Sequence, residues 1–181
     1  IQELDVLAVE LKGEPLSEDF TPVTMASWMA GDRDGNPFVT AELSKQALIN
    51  ARLTACRLYL EDFNQLYLEL SMTKANSQLT EEDEASKGPY RNQLLSAIEL
   101  LKVSVEKLKE GDTEGVLEDS NQLRIPLQKC RESLLDVGLN HVANSLVLDL
   151  LRKVNCFGIS LVKLDIRQHS ERHDAALIID F

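Results

Sequence analysis

The amino-acid sequence predicts a mostly α fold with two short parallel strands, a helix-rich piece of a larger α/β barrel. Three observations carry that expectation. Apolar residues recur at helical spacing through four long stretches. Two short apolar runs, residues 23–30 and 159–168, read as strands, and each leads into an aspartate and an arginine. Helices alone separate them, so the pair has no further strand in this sequence with which to complete a sheet.

Leu4, Leu7, Ala8 and Leu11 place a helix over residues 1–12, and Gly13 to Pro22 is a connector with Pro15 and Pro22 among polar residues. Val23 to Ala30 is apolar on both faces, as a buried parallel strand is. The turn Gly31 to Pro37 follows, and Thr40 caps a long helix over about residues 41–72. Leu43, Ala47, Leu48, Ala51, Ala55, Leu58, Phe63, Leu66 and Leu70 form its expected buried stripe. Residues 74–88, with the run Glu81-Glu82-Asp83-Glu84, read as a solvated acidic loop. Pro89 opens a helix to about Glu110, with Leu94, Leu95, Ile98, Leu101, Val105 and Leu108 inward.

A polar loop over residues 111–121 leads to a helix that opens at Pro126, buries Leu127, Cys130 and Leu134, and stops before Gly138. His141 to Val154 is helical again, with Val142, Leu146, Leu150 and Leu151 inward, until Cys156-Phe157-Gly158 breaks it. In the second strand, Ile159 to Gln168, alternation puts Ser160, Val162, Leu164 and Ile166 on one face. Leu161, Lys163, Asp165 and Arg167 take the other face, which grows polar toward the carboxyl end, where parallel sheets and barrels bind ligands. Ser170 reads as the cap of a last helix, residues 174–181. Residues 1–181 are therefore expected to be one partial domain, cut at both ends.

The 181 residues carry a formal net charge of −11, with 44% hydrophobic and 27% charged residues, as in an ordinary globular protein. That balance argues against nucleic acid or an anionic membrane as partner, both of which need a basic stripe. It leaves room for a small anion held by a local group of arginines. Cys56, Cys130 and Cys156 have no C-x-x-C spacing and the three histidines lie away from ligand spacing, so no metal site is expected. Reduced thiols, with neither a membrane-length apolar run nor a signal-peptide pattern, fit a cytoplasmic protein.

The turn after the first strand carries the densest chemistry. Gly31, Asp32, Arg33, Asp34, Gly35, Asn36 and Pro37 combine close backbone approach, positive φ, amide and carboxylate acceptors, and a permanently charged fork. Asp32, Asp34 and Asn36 mimic the first, third and fifth positions of a calcium loop. Pro37 in place of the loop glycine and Leu43 in place of its terminal glutamate exclude that reading. A self-satisfied Asp–Arg turn is the plainer alternative.

Ser27-Trp28-Met29-Ala30-Gly31-Asp32-Arg33-Asp34-Gly35-Asn36-Pro37 with Val39-Thr40, and Leu164-Asp165-Ile166-Arg167-Gln168 with Ser170 and Arg172-His173, resemble the phosphoenolpyruvate carboxylase family. So does the Cys156-Phe157-Gly158 lead-in, and the similarity runs through the chain in order and spacing. Ala30 stands where the family usually has glycine. The resemblance implies a segment of an elaborated (β/α)8 TIM-type barrel in a much longer enzyme. That enzyme is a cytoplasmic, allosterically regulated homotetramer joining phosphoenolpyruvate and bicarbonate into oxaloacetate and phosphate, with Mg2+ or Mn2+ bound outside this segment. It further implies that Arg167 and Arg33 bind substrate and act in catalysis, with Asp32, Asp34, Asn36 and Asp165 holding the guanidinium groups in place. The family's histidine motif Thr-Ala-His-Pro-Thr, its metal motifs and its Gly-Arg-Gly-Gly loop do not occur here, so the segment alone is expected to be inactive. The competing expectation is a non-catalytic helical interaction module, supported by the long amphipathic patterns and the acidic surface.

Overall fold

The computed structural model describes residues 2–21, 23–81 and 88–171. Ile1, Pro22, most of the acidic run at 82–84, Arg172, His173 and the expected helix at 174–181 lie outside them. The described chain is mostly helical with one pair of short parallel strands.

The first helix, α1 (Gln2–Lys12), leads into the connector, and β1 is only Ala26–Ser27. The long helix α2 (Ala41–Glu69) starts at Thr40, whose Oγ1 accepts from the Leu43 amide at 3.2 Å. Its buried stripe runs Ile49, Cys56, Tyr59, Phe63, Leu66 and Leu70, alternating near three- and four-residue steps. Leu43, Leu48 and Leu58, expected inward, are exposed. A 3.6-residue stripe extrapolated over 29 residues drifts, and the facing helix decides which register is covered.

That facing helix is α4 (Pro89–Lys109), which makes the most extensive helix pair of the fold with α2. Leu94, Ile98, Leu101, Val105 and Leu108 are buried as their spacing requires. The presumed loop before it contains a short helix, α3 (Ser77–Glu81), because Asn76 Oδ1 accepts from the Leu79 amide at 3.2 Å and Leu79 is buried. Helix α5 (Asn121–Asp136) begins five residues before Pro126. Proline at the sixth helical position removes a single early backbone bond, so a helix started upstream tolerates it.

The next helix is three pieces: α6 (Asn140–Val142), a π turn over Ala143–Val147, and α7 (Leu148–Phe157). The π turn inserts one residue into the register. Val147 is buried in consequence, and Leu146, expected inward, is exposed. Gly158 stops α7 at φ 54°, and the Tyr59 hydroxyl donates to its carbonyl at 2.7 Å, locking α7 onto α2. Burial pushes the Tyr59 hydroxyl pKa well up.

Arg152 on α7 is 1% exposed. Its two terminal nitrogens meet the Asp5 carboxylate, and Nη2 also donates to the Leu16 carbonyl at 3.1 Å. Glu18 continues the clamp through Arg131 at 3.1 Å and Gln128 at 2.9 Å. Polar bonds therefore hold α1 and the connector, while Leu4, Leu7 and Leu11 remain exposed.

Both strands are shorter than their apolar runs. The second, β2 (Lys163–Leu164), pairs Ala26 with Lys163 and Ser27 with Leu164. The ladder donates from the amides of residues 163, 165 and 167 to the carbonyls of 25, 27 and 31. An uninterrupted parallel ladder would use residue 29. Two extra residues are looped out, because the Gly31 and Asp32 amides both turn back to the Trp28 carbonyl, at 2.7 and 3.0 Å. Trp28 and Met29 swing out to 60% and 79% exposure, so the expected burial of both strand faces does not occur among the described residues. Upstream of β2, Leu161 sits at φ 62°, which ends any extended course through 159–162.

Ala30 lies in that loop at φ 63°. Glycine there relieves about 1–2 kcal/mol of left-handed strain, against a loss of about 0.4–1 kcal/mol to the freer unfolded chain. Ala30→Gly is therefore expected to raise the unfolding free energy by up to about 1.6 kcal/mol, measured by urea denaturation. A destabilised variant would show that the loop has relaxed around alanine.

Candidate functional site

The looped-out residues bring the backbones of two arginines together. After the loop the chain rejoins the ladder at a bridge between Asp32 and Arg167. The Arg167 amide donates to the Gly31 carbonyl, and the Arg33 amide to the Arg167 carbonyl, both at 2.9 Å. Arg33 and Arg167 thus sit on adjoining segments just beyond the carboxyl ends of β1 and β2.

Gly31 makes this pairing possible. A Cβ on it would lie 2.2 Å from the Asp165 carbonyl oxygen and 3.2 Å from a Leu164 methyl. The backbone cannot yield that far without opening the ladder. Gly31→Ala is expected to cost about 1–3 kcal/mol and to separate residues 31–33 from 165–167. An unchanged thermal midpoint would show that the strands have room to part.

Arg33 is half-buried, and its Nη2 donates to Ser44 Oγ at 2.8 Å. Arg167 is half-exposed, its guanidinium 4.8 Å from the centre of the Trp28 ring and 3.8 Å from the Asp32 carboxylate. Asp34 faces His169 at 3.4 Å, and Asn36 Oδ1 accepts from the Phe38 amide at 3.1 Å, closing the turn. The Asp165 side chain is exposed, while its amide holds the ladder through the Ser27 carbonyl at 2.9 Å. The carboxylate beside Arg167 is thus Asp32's.

An open pocket of about 640 Å³ lies at this end, lined by Arg33, Asn36, Thr40, Gln168, His169 and Glu171 among others, but not by Arg167. A second, of about 720 Å³, opens beside Val23 and Met25 on the amino side of the strands, between α2 and α7. The first has the position at which parallel sheets receive ligands, and with Arg33 in its wall it suits an anion.

The sequence model described as phosphoenolpyruvate carboxylase matches residues 1–179. The chain belongs to the phosphoenolpyruvate carboxylase family. The phosphoenolpyruvate carboxylase of Psychromonas ingrahamii is 43% identical over 173 residues, 91% of this chain and 20% of that protein. That of Chromohalobacter salexigens is 43% identical over 179 residues, covering 95% and 20%. That of Pseudomonas aeruginosa is 42% identical over 183 residues, covering 98% and 21%. The chain spans about a fifth of the length of the curated relatives it matches.

Two neighbours in this phosphoenolpyruvate carboxylase segment went unmarked in the sequence. Ser44 is buried one turn into α2, and a serine in a helical run carries no signal of a partner eleven residues upstream. His169 reads as a polar residue until the fold sets it against Asp34. Among the described residues no three His, Cys, Asp or Glu side chains converge as a metal site, and no helix is long and apolar enough to cross a membrane.

Proposed function

We propose that the complete polypeptide containing this chain carboxylates phosphoenolpyruvate with bicarbonate, giving oxaloacetate and phosphate, and that Arg167 and Arg33 receive the anionic substrate. The supporting observation is the pairing of these arginines, through the Arg33 amide and the Arg167 carbonyl, at the carboxyl ends of adjacent parallel strands. Bicarbonate attacks the phosphate, the bond to the enol oxygen breaks, and carboxyphosphate and the enolate of pyruvate result. Carboxylation of the enolate carbon then yields oxaloacetate and releases phosphate. Every species on this path is an anion, so fixed guanidinium groups stabilise it as charge moves from phosphate to enolate. Asp32 and the Trp28 ring orient Arg167, while Asp34, Asn36 and Asp165 shape the turn and ladder around the two forks.

In this reading the strands are staves of an elaborated (β/α)8 barrel in a cytoplasmic, regulated tetramer, and the isolated segment has no carboxylase activity. In the same reading the ligands for Mg2+ or Mn2+ lie elsewhere in the longer polypeptide; among the described residues no such donor set converges. Arg167→Lys in the complete enzyme tests the site. A point charge cannot reproduce the planar fork, so kcat/KM is expected to fall at least about tenfold. Parental kinetics with lysine would overturn the assignment.

A further inference from the structure

We propose that Ser44 is a positioning residue for Arg33, its hydroxyl fixing the guanidinium against the turn after β1 so that the fork meets the anion in one orientation. The inference rests on the reading of Arg33 as a substrate-binding group. Ser44 is 4% exposed, four residues beyond the Thr40 cap. Its Oγ lies 2.6 Å from the Ala30 carbonyl oxygen, 3.1 Å from that of Thr40 and 2.8 Å from Arg33 Nη2.

A serine hydroxyl has one proton to give and lone pairs to receive. In a helix that proton commonly goes to the carbonyl four residues back. Here the shorter bond goes to Ala30, across fourteen residues of sequence, and a lone pair accepts the arginine N–H. One hydroxyl thereby joins the looped-out turn, the start of α2 and the guanidinium. Arg33 Nε is buried without a partner, so among the described residues the bond to Ser44 is the hydrogen bond that orients this side chain. Without it a long, flexible side chain regains its rotamers at the wall of the pocket.

The test is a double-mutant cycle in the complete enzyme, reading kcat and the KM for phosphoenolpyruvate. Ser44→Ala is expected to raise KM about tenfold with a smaller change in kcat, while Ser44→Thr, which keeps the hydroxyl, stays within about twofold of the parent. In an Arg33→Ala background, Ser44→Ala should add less than about twofold. Equal losses in both backgrounds would overturn the positioning role in favour of a purely structural one. Parental kinetics for Ser44→Ala beside an impaired Arg33→Ala would also overturn it, while leaving Arg33 a substrate group. Parental kinetics for Arg33→Ala would remove the underlying reading and this one with it. If Ser44→Ala does not fold, Ser44→Cys, of similar volume with a weaker donor, carries the same comparison.

Discussion

Arg167→Ala in the complete enzyme is expected to lower turnover by about two to three orders of magnitude while leaving the fold intact. The separation of the two effects follows from where the residue's bonds lie. Its structural bonds belong to the backbone, the amide on the Gly31 carbonyl and the carbonyl accepting from Arg33, and alanine keeps both. The side chain is half-exposed, so the 3.8 Å pairing with Asp32 contributes at most about 1 kcal/mol. The contact with the Trp28 ring adds about 0.5–1 kcal/mol. What the side chain does supply is a planar cation at the end of the strand pair, beside the Trp28 ring and the Asp32 carboxylate. The measurement is the rate of oxaloacetate formation, with circular dichroism as the control for folding. An Arg167→Ala enzyme with full turnover would falsify the substrate-binding role.

Asp5→Asn is expected to lower the unfolding free energy by about 3–5 kcal/mol. Arg152 is almost wholly buried and, among the described residues, its Nε has no hydrogen-bond partner while its terminal nitrogens pair with the Asp5 carboxylate. Asparagine preserves the shape and removes the anion, leaving a buried guanidinium without this counter-charge. The same pair sets a pH dependence. The bond from Arg152 holds the Asp5 carboxyl below its usual value of 3.8, against a smaller opposing effect of burial. A carboxyl lowered on folding stabilises fully above its unfolded value, and that contribution disappears as pH falls through the folded value. Stability should therefore decline below about pH 3.8 in the parent, and this part of the decline should be absent from Asp5→Asn. Thermal unfolding at neutral and acid pH measures both, and parental midpoints for Asp5→Asn at neutral pH would refute the role given to the pair.

Helix positions were largely legible because helices are local. Thr40, Pro89 and Gly158 act within a few residues of themselves, and each ends or begins the expected element. The structure departs from the sequence pattern where a facing helix or a slip in backbone hydrogen bonding decides the register. The buried stripe of α2 differs from its expected register because α4 selects which side is covered. Leu146 turned outward because the π turn slips the register, and Val23 to Ala30 shrank to two ladder residues because Gly31 and Asp32 fold back on Trp28. A single arginine among helical residues, Arg152, gives no sign in the sequence of an aspartate 147 positions away.

The turn chemistry and the family were in the sequence, because the Gly31–Pro37 and Leu164–Gln168 motifs are short and each residue type has a local job. Close approach at Gly31 and positive φ at Gly35 are both found in the fold. Only the tertiary structure decided that the two motifs meet, which carboxylate stands beside Arg167, and that Ser44 holds Arg33. The first two depend on a parallel pairing between residues more than a hundred positions apart, the third on how the looped-out turn meets the start of α2. A contact of that span is set by the packing of the helices in between, which local sequence pattern does not encode.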